Sequence, residues 1–286
     1  MHRWRGRHAP TGTTRRNAVG TSRRRLDAEL VRRGLVASRA EARAAIDAGR
    51  ITVDGAPAWK PTTLVDPAQA VVVSGPPRRY VSRGGDKLEA ALDGFGVDPA
   101  GRRCLDVGAS TGGFTDCLLQ RGAAHVVAVD VGYGQLHQRL RRDERVTVME
   151  RTNARDLTRD DIPAPSPDLV VADLSFISLT LVLPALRAVA CEGAEAVVLV
   201  KPQFEAGRDQ VGKGGVVRDP DVWARTIQRV ARAATALGWA PAGVAPSPLT
   251  GPAGNVEFLL HLVPDLGTTD GLEERIDAAV RQATAR

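Results

Sequence analysis

The sequence predicts an α/β protein: a Rossmann-like, doubly wound sheet preceded by a small, basic α+β module. Three observations carry this. From residue 104 onward, short apolar Val/Leu/Ala runs alternate with helical stretches, the pattern of a parallel sheet covered on both faces. A glycine-rich turn, Asp106-Val-Gly-Ala-Ser-Thr-Gly-Gly113, stands where the first of these strands passes into a helix. Charge is split along the chain. Residues 1–50 carry 13 arginines and no lysine against four acids, a balance of +9, whereas the whole 286-residue chain is only +6. The basic character therefore belongs to the N-terminal part, which suggests a polyanionic partner.

Composition excludes several classes. A hydrophobic content of 43% with 25% charged residues is that of a globular protein. No apolar run reaches the ~18 residues of a membrane helix, so no membrane partner is expected. The arginine-bearing N-terminus lacks the apolar core of a secretory signal. Cys104, Cys117 and Cys191 are odd in number and form no paired motif, which fits the reducing cytoplasm. The five histidines are scattered, and no metal site is expected.

In chain order, residues 1–22 read as a disordered basic tail. Leu26 to Arg33 reads as a short helix stopped by Gly34. Ser38-Arg-Ala-Glu41 is a capping box that opens a second helix ending at Gly49. Ile51–Val53 is a strand, Asp54-Gly55 a hairpin turn, and Val71–Val73 another strand. Ser74-Gly-Pro-Pro77 has the composition of a linker. The expected boundaries are therefore a module at 23–74, a linker at 75–81 and a sheet domain at 82–265. Strands follow at Cys104–Val107, His125–Asp130, Val146–Met149, Leu169–Ala172, Val197–Val200 and Phe258–Val263. Helices are expected at Phe114–Arg121 and Asp221–Leu237. The C-terminal stretch, 266–286, carries Leu272, Ile276 and Val280 four apart, a packing helix.

Residues 23–73 resemble the S4-type RNA-binding domain. The matching segments are Arg25-Leu-Asp-Ala-Glu-Leu-Val-Arg-Arg-Gly-Leu-Val-Ala-Ser-Arg-Ala-Glu-Ala and Ile46-Asp-Ala-Gly-Arg-Ile-Thr-Val-Asp-Gly55. The resemblance implies RNA binding, with Arg25, Arg32, Arg33, Arg39, Arg43 and Arg50 positioning phosphates rather than reading bases.

The turn at 106–113 admits two ligand classes. A dinucleotide fingerprint is G-x-G-x-x-G, with a pyrophosphate on the helix N-terminus. Here the spacing is G-x-x-x-G-G, through Gly108, Ser110, Thr111, Gly112 and Gly113, and Asp106 stands beside the approach path. A carboxylate there repels a pyrophosphate and suits a ligand with a cationic amine and no phosphate. S-adenosylmethionine has both properties; a purely packing turn is the alternative. Asp130, ending the second strand, can accept hydrogen bonds from ribose hydroxyls. Asn153 can bond an adenine edge or serve as an ordinary helix cap. Phe114 can border the cofactor or belong to the core.

The segments after the fourth and fifth strands concern the methyl acceptor. Amine methyltransferases carry Asp/Asn-Pro-Pro-aromatic after the fourth strand, where this chain has Asp173-Leu-Ser-Phe176. Cytosine-C5 chemistry needs a cysteine beside a proline, and none of the three fits. Lys201 precedes proline and is biased to extended backbone, which aims it at the carboxyl edge of the sheet. A ribose 2′-hydroxyl must lose its proton as the methyl arrives. A lysine can take that proton only in its neutral form, which burial or a second cation favours. Lys87, in Ser82-Arg-Gly-Gly-Asp-Lys-Leu88, can be that cation, Asp173 can orient the lysine, and Glu257 can complete the set.

The order Lys87, Asp173, Lys201, Glu257 resembles the Lys-Asp-Lys-Glu tetrad of FtsJ/RrmJ-type ribose 2′-O-methyltransferases. An S4-type domain ahead of Ser82-Arg-Gly-Gly, Asp-Val-Gly-Ala-Ser-Thr-Gly-Gly-Phe-Thr, Ala-Asp-Leu-Ser-Phe-Ile-Ser-Leu and Val-Lys-Pro-Gln-Phe-Glu is similar to the TlyA family over about residues 23–265. The resemblance implies S-adenosylmethionine-dependent 2′-O-methylation of ribosomal-RNA cytidines, in 23S rRNA and, where a C-terminal helix of this kind is present, in 16S rRNA. It implies ribosomal subunits as partners, with no obligate protein partner evident. Arg78-Arg-Tyr-Val81 departs from the family's Arg-x-Trp-Val linker. Members are often labelled haemolysins, so a membrane-acting haemolysin is one alternative. A catalytically inert rRNA-binding or assembly protein is another.

Overall fold

The computed structural model describes residues 23–36, 38–47, 49–75, 79–264 and 271–285. The expected tail at 1–22 and residues 76–78 of the expected linker lie outside the described residues. The chain divides into two compact units between residues 76 and 77.

In the first unit, β1 (Arg24–Arg25) leads into α1 (Leu26–Arg32) and α2 (Arg39–Asp47). Then come β2 (Ile51–Val53), β3 (Ala56–Pro57), β4 (Leu64–Val65) and β5 (Val71–Val73). Ser38 Oγ accepts the Glu41 backbone N–H at 3.2 Å, the capping contact expected for α2. Asp54 and Gly55 both take positive φ (49° and 81°), as the two-residue turn joining β2 to β3 requires. β2 lies between β3 and β5, all antiparallel, and β1 pairs with β4. Leu26, Leu30, Ala42, Ile46, Ile51 and Val65 close a small core.

The second unit begins with α3 (Gly84–Phe95), β6 (Arg103–Val107) and α4 (Gly113–Gln120). It continues through β7 (His125–Val129), α5 (Gln138–Arg141), β8 (Val146–Met149), β9 (Leu169–Ala172) and α6 (Leu179–Val189). Then follow β10 (Glu195–Val200), α7 (Pro202–Glu205), α8 (Pro220–Thr235), β11 (Trp239–Pro246), β12 (Phe258–Pro264) and α9 (Leu272–Thr284). One sheet takes the order β11-β12-β10-β9-β6-β7-β8. Its strands alternate between two cores. Leu105, Val107, Val170 and Ala172 face α6, α8 and α9, while Cys104, Leu169 and Val171 join the cluster with α3 and α4.

The sheet is not wholly parallel. β12 runs antiparallel to both β10 and β11. This corrects the expectation of a parallel sheet, since strand direction leaves no trace in an apolar run. It has a consequence for the site. Because Val200 pairs with Phe258, the residue preceding β12, Glu257, is delivered to the same edge as Lys201, which follows β10. From β6 the chain winds outward to β8, then returns to β9 on the other side. The crevice at this reversal, beyond the carboxyl ends of β6 and β9, is where ligands bind in such sheets.

Candidate active site

Two glycines make the floor of that crevice. Gly108 has φ +83°, and a Cβ there would lie 2.4 Å from the Asp173 carbonyl oxygen. Gly113 opens α4, and a Cβ on it would lie 2.2 Å from Ser82 Oγ and 2.9 Å from the Gly85 nitrogen. The motifs Ser82-Arg-Gly-Gly and Thr-Gly-Gly are thus two halves of one contact, in which the N-termini of α3 and α4 meet. Between the glycines, Ser110 is held at φ 48° by its N–H to Asp130 Oδ2 (2.8 Å). Asp130 Oδ1 accepts from the Gly132 N–H at 2.7 Å.

Two adjoining cavities, of about 190 and 480 Å3, share Gly108, Ser110 and Asp173. The smaller is also lined by Arg83, Lys87, Thr111, Gly113 and Phe114. The larger is also lined by Asp130, Gln135, Asn153, Ser175 and Phe176. S-adenosylmethionine fits this trough chemically. The missing Cβ of Gly108 lets the Asp173 backbone close over the strand end, and carboxylates line the trough at Asp130, suited to a ribose, and at Asp173, suited to a cationic centre. Asn153 Oδ1 caps the short turn that follows, accepting from Arg155 N–H at 3.2 Å, while the residue also lines the larger cavity. The helix-cap reading of Asn153 is therefore met, and its place in the cavity wall leaves the side chain beside the trough.

Two residues expected to touch the cofactor are placed elsewhere. Asp106 is fully buried and lines neither cavity. Its Oδ2 accepts the Thr115 N–H (2.8 Å) and Oγ1–H (2.6 Å), so it satisfies an amide of the first turn of α4 from beneath. Burial pushes its carboxyl up to about 7, and Oδ1 has no hydrogen-bond partner. Gly112 caps α4 at φ +95°, and a Cβ there would strike Leu136 and Leu140, so its constraint is packing.

The tetrad resolves into two ion pairs. Lys87 Nζ donates to Glu257 Oε2 at 2.5 Å, with Lys87 8% and Glu257 1% exposed. Lys201, also 8% exposed, places Nζ 2.6 Å from Asp173 Oδ1 and donates to Ser175 Oγ at 3.0 Å. The contact with Asp173 is ionic; that oxygen receives no aligned hydrogen bond.

Sequence reasoning missed three features here. Phe176 is 91% exposed, at φ 64°, with its ring 5.2 Å from that of Phe204, and it lines the larger cavity. A left-handed, solvent-facing phenylalanine at a cavity wall offers a surface on which a base can stack. Arg83 reaches across the smaller cavity to the Thr250 carbonyl at 3.2 Å. Glu205, the last residue of α7, is buried, and accepts the Ser178 hydroxyl (2.5 Å) and the Leu179 N–H (2.7 Å). Burial raises its pKa. It pins the loop that carries Asp173, Ser175 and Phe176. The signal for Glu205 was its place in Lys201-Pro-Gln-Phe-Glu; nothing in the sequence pairs it with Ser178.

In the first unit, Arg25 and Arg39 flank the buried Asp27, at 3.0 and 3.5 Å, and Arg32 pairs with the buried Glu29 at 2.6 Å. Their side chains keep 41%, 58% and 48% exposure, which leaves these cations facing solvent. Arg43 is exposed, and Arg50 Nε donates to the Ser74 carbonyl at 2.9 Å. Arg33 corrects the expectation. It bonds Glu29 Oε1 and the Gln69 carbonyl, both at 2.7 Å, and serves the fold.

Comparison with known proteins agrees with this architecture. Residues 24–71 match the S4 domain, and residues 80–263 match the FtsJ-like methyltransferase family. The chain is 56% identical over 264 residues to the 16S/23S rRNA (cytidine-2′-O)-methyltransferase TlyA of Mycobacterium tuberculosis, covering 91% of this chain and 98% of that one. It is 39% identical to Hemolysin A of Brachyspira hyodysenteriae, over 84% of this chain and 99% of that one. A solved, hemolysin-named chain from Streptococcus thermophilus superposes with a TM-score of 0.75 at 38% identity, covering 93% of this chain and 98% of that one. The chain belongs to the TlyA family of FtsJ-like methyltransferases, enzymes whose methyl donor is S-adenosylmethionine.

Proposed function

We propose that this protein methylates the ribose 2′-oxygen of cytidines in 23S rRNA, and in 16S rRNA as well, in the cytoplasm. The observation that carries the reading is the pair of buried lysine–carboxylate contacts at one sheet edge, beside a cavity fit for the donor. The subunit assignment is supported by the relative named for both rRNAs, which this chain matches over 98% of that protein's length.

S-adenosylmethionine, when bound, supplies an electrophilic methyl group on a sulfonium. Asp130 and Asn153 hold its nucleoside end, and Asp173 faces its positive centre. Lys201, in the neutral form that transfer requires, takes the 2′-hydroxyl proton onto Nζ as the new O–C bond forms and the sulfur–methyl bond of the donor breaks. The resulting ammonium is held by the ionic contact with Asp173 and the hydrogen bond to Ser175. Lys87, fixed by Glu257, keeps a second positive charge beside the acceptor. The arginines of the first unit grip phosphates, and alignment of two desolvated reactants provides most of the acceleration. Among the described residues no helix is long and apolar enough to cross a membrane, and nothing in the site favours a membrane-acting reading.

The test is methyl transfer to rRNA from a strain lacking this gene, with 2′-O-methyl sites mapped. Lys201→Ala is expected to cut transfer by roughly 100-fold or more, the usual worth of a positioned base, while calorimetric affinity for S-adenosylmethionine stays within a few-fold. Undiminished transfer removes Lys201 from the chemistry. Methylation of another atom overturns the reading.

A further inference from the structure

The N-terminal unit displays an indole that its core does not use. Trp59 is 64% exposed, in a chain whose aromatic content is only 4%. Its seat is specific. The benzo ring rests on Gly49, where a Cβ would come 2.8 and 2.9 Å from ring carbons, so a side chain at 49 would displace it. The Ala58 N–H donates to the Ile51 carbonyl at 2.9 Å and Thr52 pairs with Pro57, so the continuing register sets Trp59 opposite Arg50. Lys60 follows in the chain, and Arg50 is tied through Nε to the Ser74 carbonyl at 2.9 Å. An exposed indole set opposite Arg50, in a unit whose sequence is strongly basic, matches a ligand with a π face and adjoining negative charge.

We propose that Trp59 is a stacking platform for an unpaired RNA base, with Arg50 placed for an adjoining phosphate. The proposal rests on the reading of this protein as an rRNA-binding enzyme. Any base presents a π face, so the platform adds affinity for unpaired nucleotides without choosing among bases. It distinguishes RNA with a bulged or looped nucleotide from a continuous duplex, whose bases stay stacked on each other.

The test uses the full chain with Trp4→Phe, and two RNA hairpins that differ only in one bulged nucleotide. Trp223 and Trp239 are 6% and 0% exposed, so quenching of solvent-facing emission reports on Trp59. The bulged hairpin is expected to quench that emission and the paired one to leave it. Adding Trp59→Phe is expected to abolish the quenching while keeping most of the affinity. Trp59→Ala is expected to weaken bulged-hairpin binding by roughly 5- to 100-fold, the usual worth of a base–aromatic stack, and paired-hairpin binding by less than about twofold. If circular dichroism shows that Trp59→Ala unfolds, the quenching and the Trp59→Phe affinity decide. Unquenched emission with RNA bound, or equal affinity of Trp59→Ala for the bulged hairpin, hands the indole to a protein partner and overturns the proposal. A parent protein that binds neither hairpin nor 23S rRNA defeats the rRNA reading instead.

Discussion

Asp106 shows how one buried atom sets a measurable property. Its carboxyl titrates near 7 in the fold, because burial outweighs the two bonds from Thr115, against about 4 in an unfolded chain. The folded state therefore binds more protons between pH 4 and pH 7, and stability falls as pH rises through that window. Asp106→Asn keeps an acceptor for Thr115 and has no proton to lose. Denaturant unfolding at pH 5 and pH 8 is expected to show the parent losing on the order of 3 kcal/mol more than the variant. Equal pH slopes for the two proteins would show that the carboxyl ionises freely in place. The pair Lys87–Glu257 is a second residue-scale case. Glu257→Gln leaves a buried ammonium opposite a neutral amide, and an unpaired buried charge costs about 3–5 kcal/mol. A clear fall in Tm together with lost methyl transfer is expected, and an unchanged Tm would place Lys87 in water.

Among elements, the clamp between α7 and α6 carries the sharpest expectation. Glu205→Ala removes the acceptor of Ser178 and of the Leu179 N–H. A lost cap costs roughly 1–2 kcal/mol, and the freed loop carries Asp173, Ser175 and Phe176. The turnover number should therefore fall more than cofactor affinity does, and equal loss of both would make the clamp merely structural. The same elements show what a sequence discloses. β8 and β9 are legible because Val146–Met149 and Leu169–Ala172 are apolar runs bounded by polar residues. α3 escapes notice because Gly84, Gly85 and Gly94 lower helix propensity; Gly85 leaves room for Tyr80, and Gly84 lies against Ser82 and Phe114. α6 is masked by Pro184 inside it. β11 is masked by Pro241 and Pro246, which it tolerates as an edge strand with an irregular register at Pro241–Gly243. Of the site, residue types at strand ends are readable, whereas pairing is not. Which lysine meets which carboxylate depends on the reversed direction of β12.

At the scale of the whole molecule, charge separates what grips from what reacts. The two lysine–carboxylate pairs proposed for the chemistry are nearly neutral in sum; Lys87–Glu257 is buried, and Asp173 of the other pair is partly exposed at the cavity wall. The arginines assigned to rRNA belong to the first unit, where Asp27 and Glu29 are buried beneath them. Arg32, with help from Arg33, holds Glu29 down to about 2, so its carboxylate keeps the surrounding guanidinium groups in place across the physiological range. Affinity for rRNA should then depend on salt through those arginines, because each phosphate they neutralise releases condensed counterions. Arg39 and Arg43 are the cleanest to remove. Arg39 is 58% exposed and only 3.5 Å from Asp27, and Arg43 is exposed on α2. For the full chain with Arg39→Gln and Arg43→Gln, the plot of log K against log salt is expected to flatten by roughly 1.4–1.8, at 0.7–0.9 per phosphate contact. Cofactor affinity should not change, since neither residue lines the cavities. An unchanged slope with intact rRNA binding would mean that phosphates meet the protein elsewhere, and the N-terminal unit would lose its assigned role.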